Sequence, residues 1–355
     1  MTIGLVMIVK NEEHVIERSL KSALPFVDTW CIVDTGSTDS TMEKIQKIAD
    51  ECGVKGELHQ RPWVNFGVNR TELLEVSRKK AEWSLMMDAD DILHLTNKPS
   101  LTQTTDAYTI KIHRGTLVYY RPILFNNARP WKFTGAVHEY AECPGVVVQT
   151  PLSSAWLDAR CEGARSKNPK KYQIDAESLE DELTRCPGDT RSMFYAAQSW
   201  RDAGVSDKAA FWYLKRSQSG GWNQEQYVSL LNLIRLTNDI QEKLKYAWQA
   251  LDICPRLEVA YEILKTAREK NQWTQQVYAL GIVANTFSRI PSESYLFVEQ
   301  LIYDYQFDDE FSIHCYYLKK DEESSRAAFR ALKKAPPAHQ ERIRANYEFA
   351  LKRLS

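Results

Sequence analysis

The chain has 355 residues, of which 43% are hydrophobic and 26% charged, too apolar for a wholly disordered polymer and long enough for two or three domains. Its 46 basic and 47 acidic side chains nearly cancel, which excludes a global pull toward nucleic acid or an anionic membrane and leaves only local patches. The seven cysteines include no Cys-x-x-Cys pair, an argument against a disulfide framework or a cysteine-built zinc site and for a reduced, cytoplasmic setting.

The first third alternates short apolar runs with helical periodicity, the pattern of a mostly parallel sheet covered by helices. The run from residue 3 to 9 reads as a buried strand. Lys10-Asn11-Glu12-Glu13 ends it, and it is too short for a membrane span and lacks the basic flank of a signal peptide. Asn11 is expected to cap a helix with Ile16, Leu20, Ala23 and Leu24 on one face, stopped by Pro25. Residues 30–33 form a second strand. The turn from Asp34 to Asp39 leads into a helix with Met42, Ile45, Ile48, Ala49 and Cys52 inward, ended by Gly53. A third strand over 55–59, a third helix over 69–81 and a fourth strand over 83–87 follow, the last running straight into Asp88-Ala89-Asp90-Asp91.

From 108 to 148 the pattern turns to β-prone stretches at 108–113, 117–124 and 145–149, which suit an antiparallel extension. Residues 158–171 are polar and locally basic, with Arg160, Arg165, Lys167, Lys170 and Lys171, and read as a linker or loop. Beyond Tyr172 nearly everything is helical. Pro187, Gly221 and Pro255 stand 34 residues apart, with Pro291 near the next place, the length of a tetratricopeptide-like helix pair. Phe194, Ala197, Trp200, Ala209, Tyr213, Leu230, Ile234, Tyr246, Ala250, Tyr261 and Leu264 have the spacing of its core, although an irregular bundle would use the same residues.

Three carboxylates within four residues at a strand end repel one another; two like charges ~4 Å apart at an effective dielectric of about 20 cost roughly 4 kcal/mol. A divalent cation removes that cost. In an extended segment Asp88 and Asp90 share a side and Asp91 faces the other. Oxygen ligands without thiols nearby suit Mg2+ or Mn2+, which complete their shells with substrate phosphates. The alternative is a solvated acidic turn that caps the next helix.

Four segments in order resemble the glycosyltransferases of family two, whose nucleotide-sugar-binding domain has the GT-A fold: residues 6–12, residues 32–41, Asn69-Arg70, and residues 86–91 with their Asp88-Ala89-Asp90. The resemblance implies that Ile8, Val9, Lys10 and Asp34 line the base and ribose pocket. By the same resemblance Arg70 holds phosphate or uracil, Asp88 with Ala89 contacts ribose and assists the metal, and Asp90 ligates it. Thr35 stands where many relatives carry a second acid, so phosphate binding is better supported than uridine preference. A further segment, Trp131-Lys132-Phe133-Thr134-Gly135-Ala136-Val137-His138-Glu139-Tyr140, is similar to one in a subset of these enzymes with helical repeats behind the catalytic domain. On that resemblance Glu139 is the candidate base of an inverting transfer. His138 is the second candidate base, a candidate third metal ligand, or a loop-fixing residue. Trp131 would wall the acceptor site or sit in the core. Residues 189–200 and Gly220-Gly221-Trp222 extend the resemblance into the helices.

The expected architecture is therefore an α/β, Rossmann-like GT-A domain over 1–157, a basic linker over 158–171 and an all-α tetratricopeptide-like domain over 172–355 that presents an acceptor. The expected reaction moves a hexose, glucose or a relative, from a nucleotide diphosphate sugar such as a UDP-sugar to a large acceptor, with Mn2+ or Mg2+. A peptide or protein acceptor follows from the repeats. A hydroxymethylated pyrimidine of phage DNA follows from the basic stretch together with Lys319, Lys320, Arg326, Arg330, Lys333 and Lys334; a cell-surface sugar is the third class. In another class of function, a catalytically idle domain would serve a helical binding module, which the intact Arg70, Asp88 and Asp90 argue against. A nicotinamide enzyme lacks support, because no Gly-x-Gly-x-x-Gly turn follows the first strand.

Overall fold

The computed structural model describes residues 1–115 and 117–355, in two units, Met1–Pro187 and Gly188–Ser355. Period-two alternation builds the first. Along β1 (Ile3–Val9), Ile3, Leu5, Met7 and Val9 enter one apolar cluster while Val6 enters a second on the opposite face. Along β2 (Thr29–Asp34), Trp30 and Ile32 join the first cluster and Cys31 and Val33 the second. Both faces must therefore be covered. Helices α1 (Ile16–Ala23) and α2 (Thr41–Cys52) cover the first with Ile16, Leu20, Ile45 and Ile48; α3 (Phe66–Ser77) covers the second with Leu73 and Leu74.

The remaining strands of this sheet are β3 (Gly56–Gln60), β4 (Trp83–Met86), β5 (Ile92–Leu95), β6 (Ala107–Arg114), β7 (Leu117–Asn126) and β10 (Gln149–Asp158). Their order is β3-β2-β1-β4-β7-β6-β10-β5, parallel through the first four and antiparallel where β7 meets β4 and β6. A two-stranded ribbon, β8 (Lys132–Thr134) with β9 (Tyr140–Glu142), stands apart. Succession runs outward from β1 to β3 on one side and resumes at β4 on the other. The crevice at the carboxyl ends of β1 and β4 is the switch point at which open α/β sheets bind ligands.

Several expectations change. Asn11 does not cap α1, whose first turn has no side-chain cap; it adopts φ 58° and its Oδ1 accepts from Thr38 N at 2.7 Å. Helix α3 starts three residues earlier than the pattern implies because Asn65 caps it, accepting from Val68 N at 2.8 Å. Cys52 ends α2 exposed rather than inward. The strand expected at 145–149 instead begins at Gln149. Residues 158–171 do not divide the chain. They are fastened to Asp90, Glu12 and Asp175, and the division falls after Pro187, so α4 (Lys171–Arg185) belongs to the first unit.

The second unit is a helical repeat. Helices α5 (Thr190–Asp202), α6 (Ser206–Gln218), α7 (Asn223–Leu236), α8 (Ile240–Ile253), α9 (Glu258–Glu269) and α10 (Gln275–Asn285) pack in succession. The expected core residues are buried except Tyr261, which is half-buried. Arg216, fully buried, pairs with Glu225 at 3.0 Å and donates to the carbonyls of Ser219, Gly220 and Trp222, which fixes the turn at Gly220-Gly221-Trp222. The period ends after α10: near Pro291 no new pair starts, and the chain resumes through a single π turn, Ile302–Gln306, into α11 (Phe307–Tyr317), α12 (Asp321–Lys334) and α13 (Pro337–Leu354).

Buried His314 on α11 donates from Nε2 to the Thr274 carbonyl at 3.1 Å, and burial lowers its pKa. The unfolded chain takes up a proton near 6.5 that the folded chain resists, so stability is lost as pH falls below that value. Denaturant unfolding at pH 7.5 and 5.5 is expected to show a smaller acid loss in His314→Gln than in the parent chain.

Candidate active site

The carboxyl end of β4 delivers the aspartates. Met87 N still bonds Val6 O at 3.2 Å, which extends the pairing by one residue and leaves Asp88 at the mouth of the switch point. One turn into α3, Arg70 reaches the same place: its Nη2 lies 2.5 Å from Asp88 Oδ1 and its Nε 2.8 Å from Glu139 Oε1. The second contact is an ion pair without hydrogen-bond alignment. A buried, always-charged guanidinium thus joins two carboxylates that sit 51 residues apart in sequence, and leaving either unpaired would be costly.

Glu139 gets there by close backbone packing. A Cβ on Gly67, in the first turn of α3, would sit 2.5 Å from Gly135 O, so only glycine allows the helix this near the 133–139 loop. Phe66 N bonds Ala136 O at 3.2 Å, and Thr71 Oγ1 accepts from Phe133 N at 2.8 Å. Gly135 and His138 then take φ of 105° and 55°. The reversal turns Glu139 inward to Arg70 and leaves His138 exposed. Trp131 packs against Phe125 in the core and is not an acceptor wall.

The carboxylates differ sharply in proton affinity. Burial works to raise Asp88, but Arg70, then Arg121 and Arg165, outweigh it and hold its pKa at about 2. Burial raises Asp90, and the nearby Asp88 charge adds to this. Asp91 is buried and pushed well up, by burial first and then by Asp88. It accepts from Asp88 N at 3.2 Å and so holds the turn; the segment is a turn and not extended, so the opposite face expected for Asp91 does not apply.

The stretch read as a linker closes over this acidic end. Glu162 N and Gly163 N both donate to Asp90 Oδ2 at 2.9 Å, and Ala164 N donates to Glu12 at 3.1 Å. Three consecutive amides therefore cradle two carboxylates. A Cβ on Gly163 would stand 3.1 Å from Glu12 Oε1 and 3.4 Å from Asp90 Oδ2, which leaves little room for a side chain. Burial pushes Glu12 up to about 7 despite the Ala164 amide, which acts the other way. Arg165 pairs with Asp175 and lies 4.5 Å over the Phe66 ring, which anchors the segment. Glu12 and Gly163 had no role in the sequence reading. Glu12 sat inside a quoted motif, and Gly163 lay in a stretch with no period.

These carboxylates fit a divalent cation in part. Asp88 and Asp90 are oxygen ligands whose charges are penalised by burial and by each other, which a cation would relieve. Among the described residues no three His, Cys, Asp or Glu side chains are gathered as a ligand set, so His138 does not complete one with the aspartates. Two carboxylates with water and substrate phosphate filling the rest is the usual arrangement for Mg2+ or Mn2+.

Across β1, Ile8 is half-buried, Val9 buried and Lys10 exposed, and Ala89 is buried behind Asp88. Val9 is in register with Asp34 on β2. The Asp34 carboxylate is fully buried and accepts from Ser37 N with both oxygens at 2.9 Å. It shapes its own turn, with both carboxylate oxygens engaged by backbone amides. Thr35 Oγ1 donates to Val9 O at 3.0 Å, locking the two strand ends together.

Residues 5–141 match the family model for glycosyl transferase family 2. Over 150 residues the chain is 30% identical to a TPR repeat-containing protein of Synechococcus elongatus, a match that covers 39% of this chain and 35% of that protein. The chain thus spans about a third of the length of that curated relative. Among solved structures it is similar to residues 1–349 of S. aureus TarS in complex with UDP-GlcNAc, at 15% identity and TM-score 0.39 over 78% of this chain and 93% of that one. It is also similar to the mannosyltransferase PcManGT of Pyrobaculum calidifontis in complex with GDP-Man and Mn2+, at 13% identity and TM-score 0.33 over 77% and 87%. The first unit carries a family 2 glycosyltransferase domain, and helical repeats follow it. Among the described residues no helix is long and apolar enough to cross a membrane.

Proposed function

We propose that this glycosyl transferase family 2 domain moves a hexose, glucose or a close relative, from a nucleotide diphosphate sugar to a large acceptor with inversion at the anomeric carbon. A UDP-sugar is the first candidate donor, and a peptide or protein the first candidate acceptor. One observation carries the reading: Arg70 draws Asp88 and Glu139, from two separate motifs, into a single ion chain at the β1/β4 crevice. A decayed domain would have no need to hold that arrangement with a buried cation.

In this reading Ile8, Val9, Lys10 and Ala89 line the nucleoside pocket, and Asp34 keeps its rim in shape. Asp88 contacts ribose. Arg70 orients Asp88 and Glu139 and adds positive charge close to the diphosphate. Mn2+ or Mg2+ at Asp88 and Asp90 supplies Lewis-acid stabilisation of the departing nucleotide diphosphate when bound. Glu139 takes the proton from the acceptor oxygen as that oxygen attacks the anomeric carbon. His138, exposed beside it, is the second candidate base.

Four of the eleven basic residues that pointed to modified DNA are paired with acids. Arg160 pairs with Asp158 and Glu162, Arg165 with Asp175, Arg326 with Glu322 and Arg330 with Asp308, which removes the arginines, though not the lysines, from a salt-sensitive phosphate track. Thermal shift with UDP, GDP, UDP-glucose, UDP-GlcNAc and GDP-mannose, each with MnCl2 or EDTA, tests donor and metal together. A rise of several degrees with a UDP compound and manganese is expected; no rise with any of the five refutes the reading.

A further inference from the structure

The second unit contains a cavity of about 650 Å³ lined by α9, the π turn, α11, α12 and α13, a volume in the range of small-molecule sites. Its walls combine features that select one ligand chemistry. Six rings line it, Tyr261, Tyr305, Tyr316, Tyr317, Phe349 and the imidazole of His339, against one aliphatic side chain, Ile313. A lipid tail or an apolar peptide side chain would find few aliphatic partners there.

The charges are already matched. Arg268 Nε donates to both oxygens of Glu310 at 3.0 and 2.8 Å, and Arg342 grips Asp309 through two contacts at 3.1 and 2.5 Å. The Arg342 pair is bidentate and the Arg268 N–H is shared between both Glu310 oxygens; both arrangements leave outer lone pairs and N–H groups able to take further hydrogen bonds, while neither sign of charge dominates. Gln306 and Asn346 add amides that donate and accept at once. A partner rich in hydroxyls, each both donor and acceptor, matches that inventory; a phosphate or a carboxylate does not.

The π turn is the independent sign that the wall is built for a purpose. Such turns are rare and concentrate at functional sites, and this one, Ile302–Gln306, carries Tyr305 and Gln306 into the cavity. Tyr317 and Phe349, 56% and 51% exposed, stand at the rim. A pyranose has one face of C–H groups that packs on the electron-rich face of such rings.

We propose that this cavity binds a segment of neutral oligosaccharide, its rings against the tyrosines and Phe349 and its hydroxyls on Gln306, Asn346 and the two ion pairs. The site lies wholly in the second unit and is independent of the proposed transfer, so its test omits nucleotide and metal. Calorimetry of the full chain with maltotetraose, cellotetraose and N-acetylchitotetraose, and with a neutral Gly-Ser-Asn octapeptide as comparison, reads it directly. At least one tetrasaccharide is expected to bind with a millimolar or tighter Kd, and Phe349→Ala and Asn346→Ala each to weaken it about tenfold or more. Both positions are at least partly exposed, so the variants are expected to keep the parent melting curve and any nucleotide-induced shift. Absence of binding to all three sugars overturns the proposal. Sugar binding unchanged in both folded variants also overturns it, as does octapeptide binding that both variants abolish.

Discussion

Glu139→Gln is expected to lower turnover by roughly 10²- to 10⁴-fold, the range that a positioned general base contributes, while donor binding changes little. The substitution keeps shape and an acceptor oxygen but removes the site that takes up the acceptor proton. Two alternatives must separate. If Glu139 only anchors the 133–139 loop through Arg70, the variant loses the ion pair at Arg70 Nε, and donor affinity, melting temperature and rate should fall together. If it is the base, the fall lies in kcat and the UDP-sugar thermal shift survives. Arg70 retains Asp88 in either case, so the folding cost should stay near 1–3 kcal/mol, that of one unsatisfied buried partner. A turnover number equal to the parent's removes Glu139 from the chemistry.

What could be read from the chain alone follows from which interactions are local. The first four strands and three helices were visible because alternation and 3.6-residue periodicity are imposed by faces that each element carries itself. Asp88 and Asp90 stood out as a carboxylate cluster at a strand end, but their roles, and Arg70 altogether, came from the resemblance to family two and its order of motifs. The direction of a polar side chain was hidden. Asp34 has the same sequence signature whether it lines a ligand pocket or satisfies the amides of its own turn, and Asn11 whether it caps the next helix or accepts from Thr38 N; the structure shows these amide contacts.

The amide cradle was also hidden. Gly163 and Asp90 are far apart in sequence, and nothing in a polar, Lys/Arg-rich stretch says that its backbone N–H groups, rather than its charges, make the contacts. In the second unit the 34-residue spacing survived as far as its turns were marked by Gly or Pro. The buried Arg216 and Arg256 had no place in the sequence reading, because burial of an arginine depends on partners, Glu225 and Glu258, that only the folded turn supplies. The π turn has no compositional signature.

The same cradle sets the terms for the second large effect, at Asp90. Replacing it by Ala should abolish metal-dependent nucleotide binding and cut transfer by about 10³-fold or more, since Lewis-acid stabilisation worth several kcal/mol is lost at about 1.4 kcal/mol per decade. Ala alone is ambiguous, because Glu162 N and Gly163 N lose their acceptor as well and the segment over the site can loosen. Asp90→Asn resolves this. An amide oxygen still accepts from both N–H groups, and the charge that burial and Asp88 already disfavour is gone, so the chain should melt at or slightly above the parent temperature. Its ionic ligand is nonetheless missing. The manganese-dependent part of the UDP shift is therefore expected to vanish in both variants, with the fold weakened only in Ala. Parent-like turnover in Asp90→Asn would show that the aspartate serves the 162–164 backbone and not a cation.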